Sequence, residues 1–112
     1  MIPNRPPDLT HQALFQGKGT VYVWDCSPKK ETMVFPVVLW CVLTPDGQVG
    51  KHKQVEYHEV LTCIAGNAEL RINDSIHPFA KGTSITLVCG EVLSIHNHSE
   101  EPLVYLITKT PN

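Results

Sequence analysis

The residues from 52 to 59 read HKQVEYHE and hold two histidines and two glutamates within eight positions. Imidazole and carboxylate groups at this density are typical of metal binding or acid–base chemistry. Side chains alternate between the two faces of a strand, so His52 and Gln54 point to the same side. Glu59 has the opposite parity, so the chain must turn or bulge within VEYH before the next strand begins. The stretch is therefore a working metal site, the remains of one, or a polar surface turn.

A second group of histidines lies near the end of the chain, in the segment EVLSIHNH. By the same alternation, Leu93, Ile95 and Asn97 share one face of a strand. His96 and His98 share the other face, so they do not belong to the same cluster as Leu93. A register shift of one residue would exchange the two faces.

The bulk properties of the chain exclude several classes of function. Its 112 residues predict one domain, and the net charge of −2 with scattered basic residues argues against a nucleic-acid partner. No run approaches the roughly 20 apolar residues of a membrane helix, so we expect no membrane partner either. The first residues, MIPNRPPDLT, lack the apolar core of a secretion signal, and the four cysteines form no C-x-x-C pair. We therefore predict a cytoplasmic protein.

The elements that must position these residues are strands. Prolines recur among the first residues, so we predict an extended N-terminal arm over residues 1–16. The remaining residues, 17–112, are predicted to form a single domain. Short runs rich in Val, Ile, Leu, Thr and Tyr then recur between turn residues, among them TVYVWD, FPVVLWCVL, AELRI and LVYLIT. Asn73 and Asp74 are suited to a hairpin turn. This pattern predicts an all-β sandwich or barrel.

Two segments resemble the signature motifs of the cupin superfamily. The first motif has a glycine, His-x-His, a glutamate and a second glycine at set spacings. The stretch GQVGKHKQVEYHEVLTCIAG is similar to it at Gly47, His52, Glu59 and Gly66, with Gln54 in the place of the second histidine.

The second cupin motif has a glycine, then Pro-x-Gly, a histidine and an asparagine. The stretch GTSITLVCGEVLSIHN is similar to it at Gly82, Gly90 and Asn97. Val88 stands where proline is common, and Leu93 stands where the family has its third metal-binding histidine. The fifteen residues 67–81 separate the motifs, and the resemblance covers roughly residues 39–105.

The resemblance implies a double-stranded β-helix, which is a jelly-roll barrel with a pocket inside one end. In that arrangement Glu59 lies over His52 inside the barrel, and His58 points to solvent or to a dimer partner. The usual cupin centre has three histidines and a glutamate. Here the implied ligands are His52, Gln54 and Glu59, and Leu93 removes a ligand and makes that wall apolar.

The implied metal site is therefore degenerate. A divalent ion such as manganese, iron, nickel or zinc is expected to be held weakly, because an amide oxygen is a weaker donor for these metals than imidazole. A tightly bound metal and the absence of any metal remain alternatives at this point.

Without a metal, the same residues form a polar cluster in an apolar barrel. We predict a ligand-binding pocket formed by His52, Gln54, Glu59, Leu93, Asn97 and Tyr105. Burial beside Leu93 would raise the pKa of Glu59 and suit it to act as a general acid or base. Alternatively, His52, Gln54 and Glu59 hydrogen-bond one another and only hold the barrel together.

Three functions are compatible with this reading. The first is a cupin that binds a small molecule and has dioxygenase- or isomerase-like, metal-dependent activity. The second is a non-catalytic sensor of a sugar or small metabolite without metal, and the third is a structural or interaction domain. The fold alone does not choose among them. We also predict a homodimer, formed through sheet edges or through the arm at residues 1–10.

Overall fold

The computed structural model describes residues 2–29 and 36–110. Met1 of the predicted arm, Phe35 of the run FPVVLWCVL and residues 111–112 of the predicted domain lie outside the described residues. Within the described part there is no helix that could cross a membrane.

Ten strands form the described part of the chain, and one short 3-10 turn, Leu14–Gln16, lies between the first two. The strands are β1 (Leu9–Gln12), β2 (Thr20–Asp25), β3 (Val37–Leu43), β4 (Gln48–Lys53), β5 (His58–Ala65), β6 (Asn67–Ile72), β7 (Ser75–Ala80), β8 (Ser84–Leu87), β9 (Val92–His96) and β10 (Leu103–Thr110).

The strands pair antiparallel in two sheets. One sheet has six strands in the order β1-β2-β3-β10-β5-β8, and the other has four in the order β4-β9-β6-β7. Their inner faces enclose one apolar core, which includes Leu43, Leu61, Leu70, Phe79 and Leu103. The expected all-β jelly roll is confirmed. The β6–β7 hairpin turns at Asn73 and Asp74, whose φ angles of 47° and 72° lie in the left-handed region that these residues tolerate.

The N-terminal segment packs against the barrel of its own chain. Strand β1 pairs with β2, and the 3-10 turn lies against β4. The two backbones approach so closely that a Cβ at Gly50 would lie 1.9 Å from the carbonyl oxygen of Phe15, and one at Gly17 would lie 1.9 Å from that of Gln48. Glycine is therefore required at both positions, and the contact fixes where Phe15 lies over the end of the barrel.

Replacement of Gly50 by alanine should destabilise the protein by about 1–3 kcal/mol, because the added methyl group has to displace backbone atoms. Urea denaturation measures the change. The variant should also shift the NMR signals of the His52 imidazole, since Phe15 stacks on that ring. Gly82→Ala is the control: its φ of +88° makes alanine unfavourable, but nothing lies within 4 Å of the added Cβ. A Gly50→Ala variant with wild-type stability and unchanged His52 signals would contradict the close contact.

Candidate functional site

A cavity of about 460 Å³ opens between the two sheets. It lies at the end of the barrel where β4 and β10 finish and β5 begins. The N-terminal segment borders one side of the cavity, and residues 54–57, which connect β4 to β5, border another. The surface of the wall is mostly apolar, and its aliphatic residues include Val21, Val23, Leu39, Val49, Leu93, Ile95 and Ile107.

The structure brings five of the six predicted pocket residues to this cavity. They are His52, Gln54, Glu59, Leu93 and Tyr105. His58 and His96 face away from the cavity, as the alternation of their strands requires. His58 is exposed, and its Nδ1 accepts a hydrogen bond from the backbone N–H of Cys89 at 3.1 Å. His96 lies on the outer side of β9, 3.9 Å from a carboxylate oxygen of Asp46.

Asn97 is the exception, because the structure does not place it at the cavity where the pocket was predicted. It is fully buried, but it does not line the cavity. Its amide nitrogen donates to the carbonyl oxygens of Leu43, Thr44 and Glu101 at 3.2, 3.2 and 2.8 Å, and its oxygen accepts from Ser99. Asn97 therefore holds the turn after β3 against the connection between β9 and β10.

Glu59 is a buried carboxyl group without a hydrogen-bond partner among the described residues. It is the second residue of β5, and the alternation of that strand directs it inward with Leu61 and Cys63, so that only 4% of its surface is exposed. Loss of hydration on burial raises its pKa, and the nearby charges of Lys109 and His52 oppose this shift. Glu59 therefore keeps its proton to a higher pH than an exposed glutamate does.

Gln54 is a second polar side chain of the same kind, and it is 7% exposed. Its backbone is paired, because its N–H donates to Glu91 at 2.9 Å and its carbonyl accepts from Gly90 at 2.7 Å. Its side-chain amide makes no hydrogen bond to any described residue. The polar atoms of Gln54 and Glu59 face the cavity and not the protein interior, so water or a bound molecule supplies their hydrogen-bond partners.

His52 is held in a fixed orientation at the mouth of the cavity. Its Nδ1 lies 3.0 Å from the carbonyl oxygen of Gly50. A carbonyl oxygen only accepts, so in the neutral ring Nδ1 carries the hydrogen and donates a hydrogen bond to that oxygen. The lone pair is then on Nε2. Phe15 stacks on the ring, with centroids 4.1 Å apart and an angle of 13° between the planes.

The residues present do not fit a tightly bound transition metal. Among the described residues, no group of three or more His, Cys, Asp or Glu side chains is placed to hold a metal ion. The predicted set of His52, Gln54 and Glu59 offers one imidazole, one amide and one carboxyl group. The residue directly across from His52 on β9 is Leu93, which cannot coordinate a metal.

The cavity-lining residues that sequence reasoning did not include in the pocket are numerous, and His11, Cys41 and Lys109 are among them. Lys109 could have been found by counting in steps of two along β10 from Tyr105. His11 could not, because its place depends on how the N-terminal segment pairs with β2.

Cys41 and Tyr105 are cross-strand partners, and each affects the pKa of the other. Burial is the main reason that the pKa of Cys41 rises to about 12, and it also raises the pKa of Tyr105 well above its ordinary value. Both groups therefore stay protonated and can take part only as hydrogen-bonding groups. The thiolate nucleophile of a cysteine enzyme is not available here.

No protein-family model matches the sequence, and no curated protein matches it significantly. Solved structures do resemble the chain. A predicted oxalate decarboxylase from Thermotoga maritima has a TM-score of 0.87 and 21% sequence identity, over 100% of this chain and 100% of that chain. A cupin 2 conserved barrel domain protein from Salinispora arenicola has a TM-score of 0.70 and 22% identity, over 96% of this chain and 88% of that chain.

The Cupin_2 domain of an XRE family transcriptional regulator from Enterobacter cloacae has a TM-score of 0.70 and 17% identity. That match covers 82% of this chain and 98% of the other. At these identities the likeness concerns the fold, and it confirms the cupin-type barrel that the two sequence motifs predict.

Replacement of Glu59 by glutamine should stabilise the protein at neutral and alkaline pH, by about 1 kcal/mol, the scale of one buried polar group. The pKa of Glu59 is higher in the folded chain than its ordinary value of 4.5, so the folded state binds this proton more tightly than the unfolded state. Because of Glu59, the free energy of unfolding falls as the pH rises from about 4.5 through the pKa of this group in the folded state. Glu59→Gln should remove this decline.

Urea denaturation of both proteins across the pH range measures the effect. The control is Glu100→Gln, which changes an exposed carboxylate in the same way. If Glu59→Gln and wild type show parallel dependences on pH, the carboxyl group is not held in the environment described above.

Proposed function

We propose that this chain binds a small organic molecule in the cavity between its sheets, with Gln54 and Glu59 as the polar anchors. One observation carries the proposal: two polar side chains, each more than nine-tenths buried, face one cavity without hydrogen bonds to the described residues. If they only held the barrel together, they would be bonded as Asn97 is.

The rest of the cavity suits such a ligand. Its volume of about 460 Å³ falls within the range of known small-molecule pockets, about 300–1,000 Å³. The aliphatic wall favours an apolar part of the ligand by removing it from water. The Nε2 lone pair of His52 adds an acceptor at the mouth.

Glu59 gives the cavity one group that can transfer a proton. A carboxyl group with a raised pKa donates a hydrogen bond when it is protonated, and it is a stronger base than an exposed glutamate when it is ionised. The proposal contains no step that depends on a metal, because the available donors do not fit one. The cavity either binds its ligand without chemistry or also catalyses a proton transfer. Glu59 is needed in both cases.

Variants of the two anchors test the proposed binding. A thermal-shift screen of small acids, sugars and other metabolites on the wild type is followed by calorimetry of the compounds that stabilise it. Gln54→Ala and Glu59→Gln should each weaken binding about tenfold or more, since each removes a buried hydrogen-bonding group. Glu100→Gln, on the surface, should leave the affinity unchanged. Full affinity in both anchor variants would place the ligand elsewhere and overturn the proposal.

Metal uptake is tested separately. Protein purified without a metal-chelating tag and then incubated with manganese, iron, nickel or zinc should lose the ion again on desalting, because only one imidazole is available. Elemental analysis provides the measurement, with His52→Ala as the control. Near-stoichiometric metal that survives desalting in the wild type and is lost in His52→Ala would show that these residues do form a metal centre.

A further inference from the structure

Lys109 is a cation on the inner face of the six-stranded sheet. Tyr105, Ile107 and Lys109 alternate along β10, and all three line the cavity. Lys109 is the direct cross-strand partner of Glu59 on β5. Its charge acts against the rise in the pKa of Glu59.

The ammonium group of Lys109 has no counter-ion in the described structure. The ion pairs found among the described residues all lie on other surfaces, and none within 4.0 Å includes Lys109. Glu59 is its cross-strand neighbour, but no carboxylate oxygen of Glu59 lies within 4.0 Å of the ammonium group. A half-buried cation on an apolar wall is stabilised when an anion comes close to it.

The other charged groups around the cavity do not supply this anion. Lys53 and Glu56 lie at its exposed rim, and they carry opposite charges. His11 and His52 add no negative charge. Lys109 is thus a cation of the inner wall that no described residue pairs with, and it favours a ligand group of the opposite sign.

We infer that the ligand of this cavity is a small carboxylic acid, whose carboxylate is bound by Lys109 while its apolar part lies against the aliphatic wall. The inference rests on the proposed function and names its ligand class. Gln54, on the side of the four-stranded sheet, offers an amide N–H to the same molecule.

A carboxylate fits this cavity better than a phosphate does. Phosphate sites usually gather several donors, such as an arginine fork or a row of backbone N–H groups at a glycine-rich loop. None of the described residues that line the cavity is an arginine. One lysine and one amide match the two oxygens of a carboxylate, and the aliphatic wall suits its carbon chain.

Matched pairs of acids and amides test the inference on the full chain. The probes are butanoate, 3-methylbutanoate and benzoate, each compared by calorimetry and ligand-observed NMR with its own primary amide and with inorganic phosphate. The acids should bind about tenfold or more tightly than their amides, which is the range expected for one charge-assisted hydrogen bond. Lys109→Met should remove this preference, and Lys109→Arg should retain it. Lys81→Met, on an exposed turn, should have no effect.

The outcomes separate this inference from the proposed function. If amides or sugars bind at the Gln54 and Glu59 anchors as tightly as the acids do, the ligand class is wrong and the binding site stands. If phosphate binds more tightly than every acid, the carboxylate assignment is also overturned. If nothing binds in the cavity, both proposals fail. Thermal melting confirms that the Lys109 variants are folded, so a lost preference is not a lost structure.

Discussion

The close contact between the backbones at Gly17 and Gly50 determines how this end of the barrel is arranged. Either glycine would place a methyl group within 1.9 Å of a carbonyl oxygen if it were alanine. Because the two segments meet there without side chains, the 3-10 turn lies directly against β4, and Phe15 reaches the ring of His52. The carbonyl of Gly50 also bonds to Nδ1 of the same ring. One contact therefore sets both the mouth of the cavity and the orientation of its imidazole.

Two buried side-chain amides show the difference between a structural role and a site. Asn97 and Gln54 are both inside the barrel, but Asn97 donates to three carbonyl groups and Gln54 to none among the described residues. The polar atoms of Gln54 and Glu59 face the cavity, where water or a bound molecule can supply their hydrogen bonds. Polar groups left unpaired on a cavity are what a binding site requires, because the ligand completes their hydrogen bonds.

The sequence predicted much of this fold and part of this site. Short β-rich runs between turn residues are a local signal, so the all-β class followed from composition and spacing, and the cupin motifs narrowed it to a barrel. The cupin resemblance placed Glu59 inside the barrel and His58 toward solvent, and the structure has them there. Alternation put Asn97 on the face of Leu93 but not at the cavity, because parity gives the face of a strand and not the depth along the barrel. The stacking of Phe15 on His52 and the position of His11 depend on contacts between distant segments, which no local pattern records.

Gln54 and Leu93, the two departures from the ligand positions of the cupin motif, change the charge balance around Glu59. A centre with three histidines holds a divalent ion, and the ion compensates for the carboxylate of the motif glutamate. Gln54 and Leu93 stand where that motif has two of its histidines, so they offer a metal beside Glu59 one amide and no second imidazole. Lys109, across the strand, supplies only part of this compensation, since desolvation still dominates the pKa of Glu59.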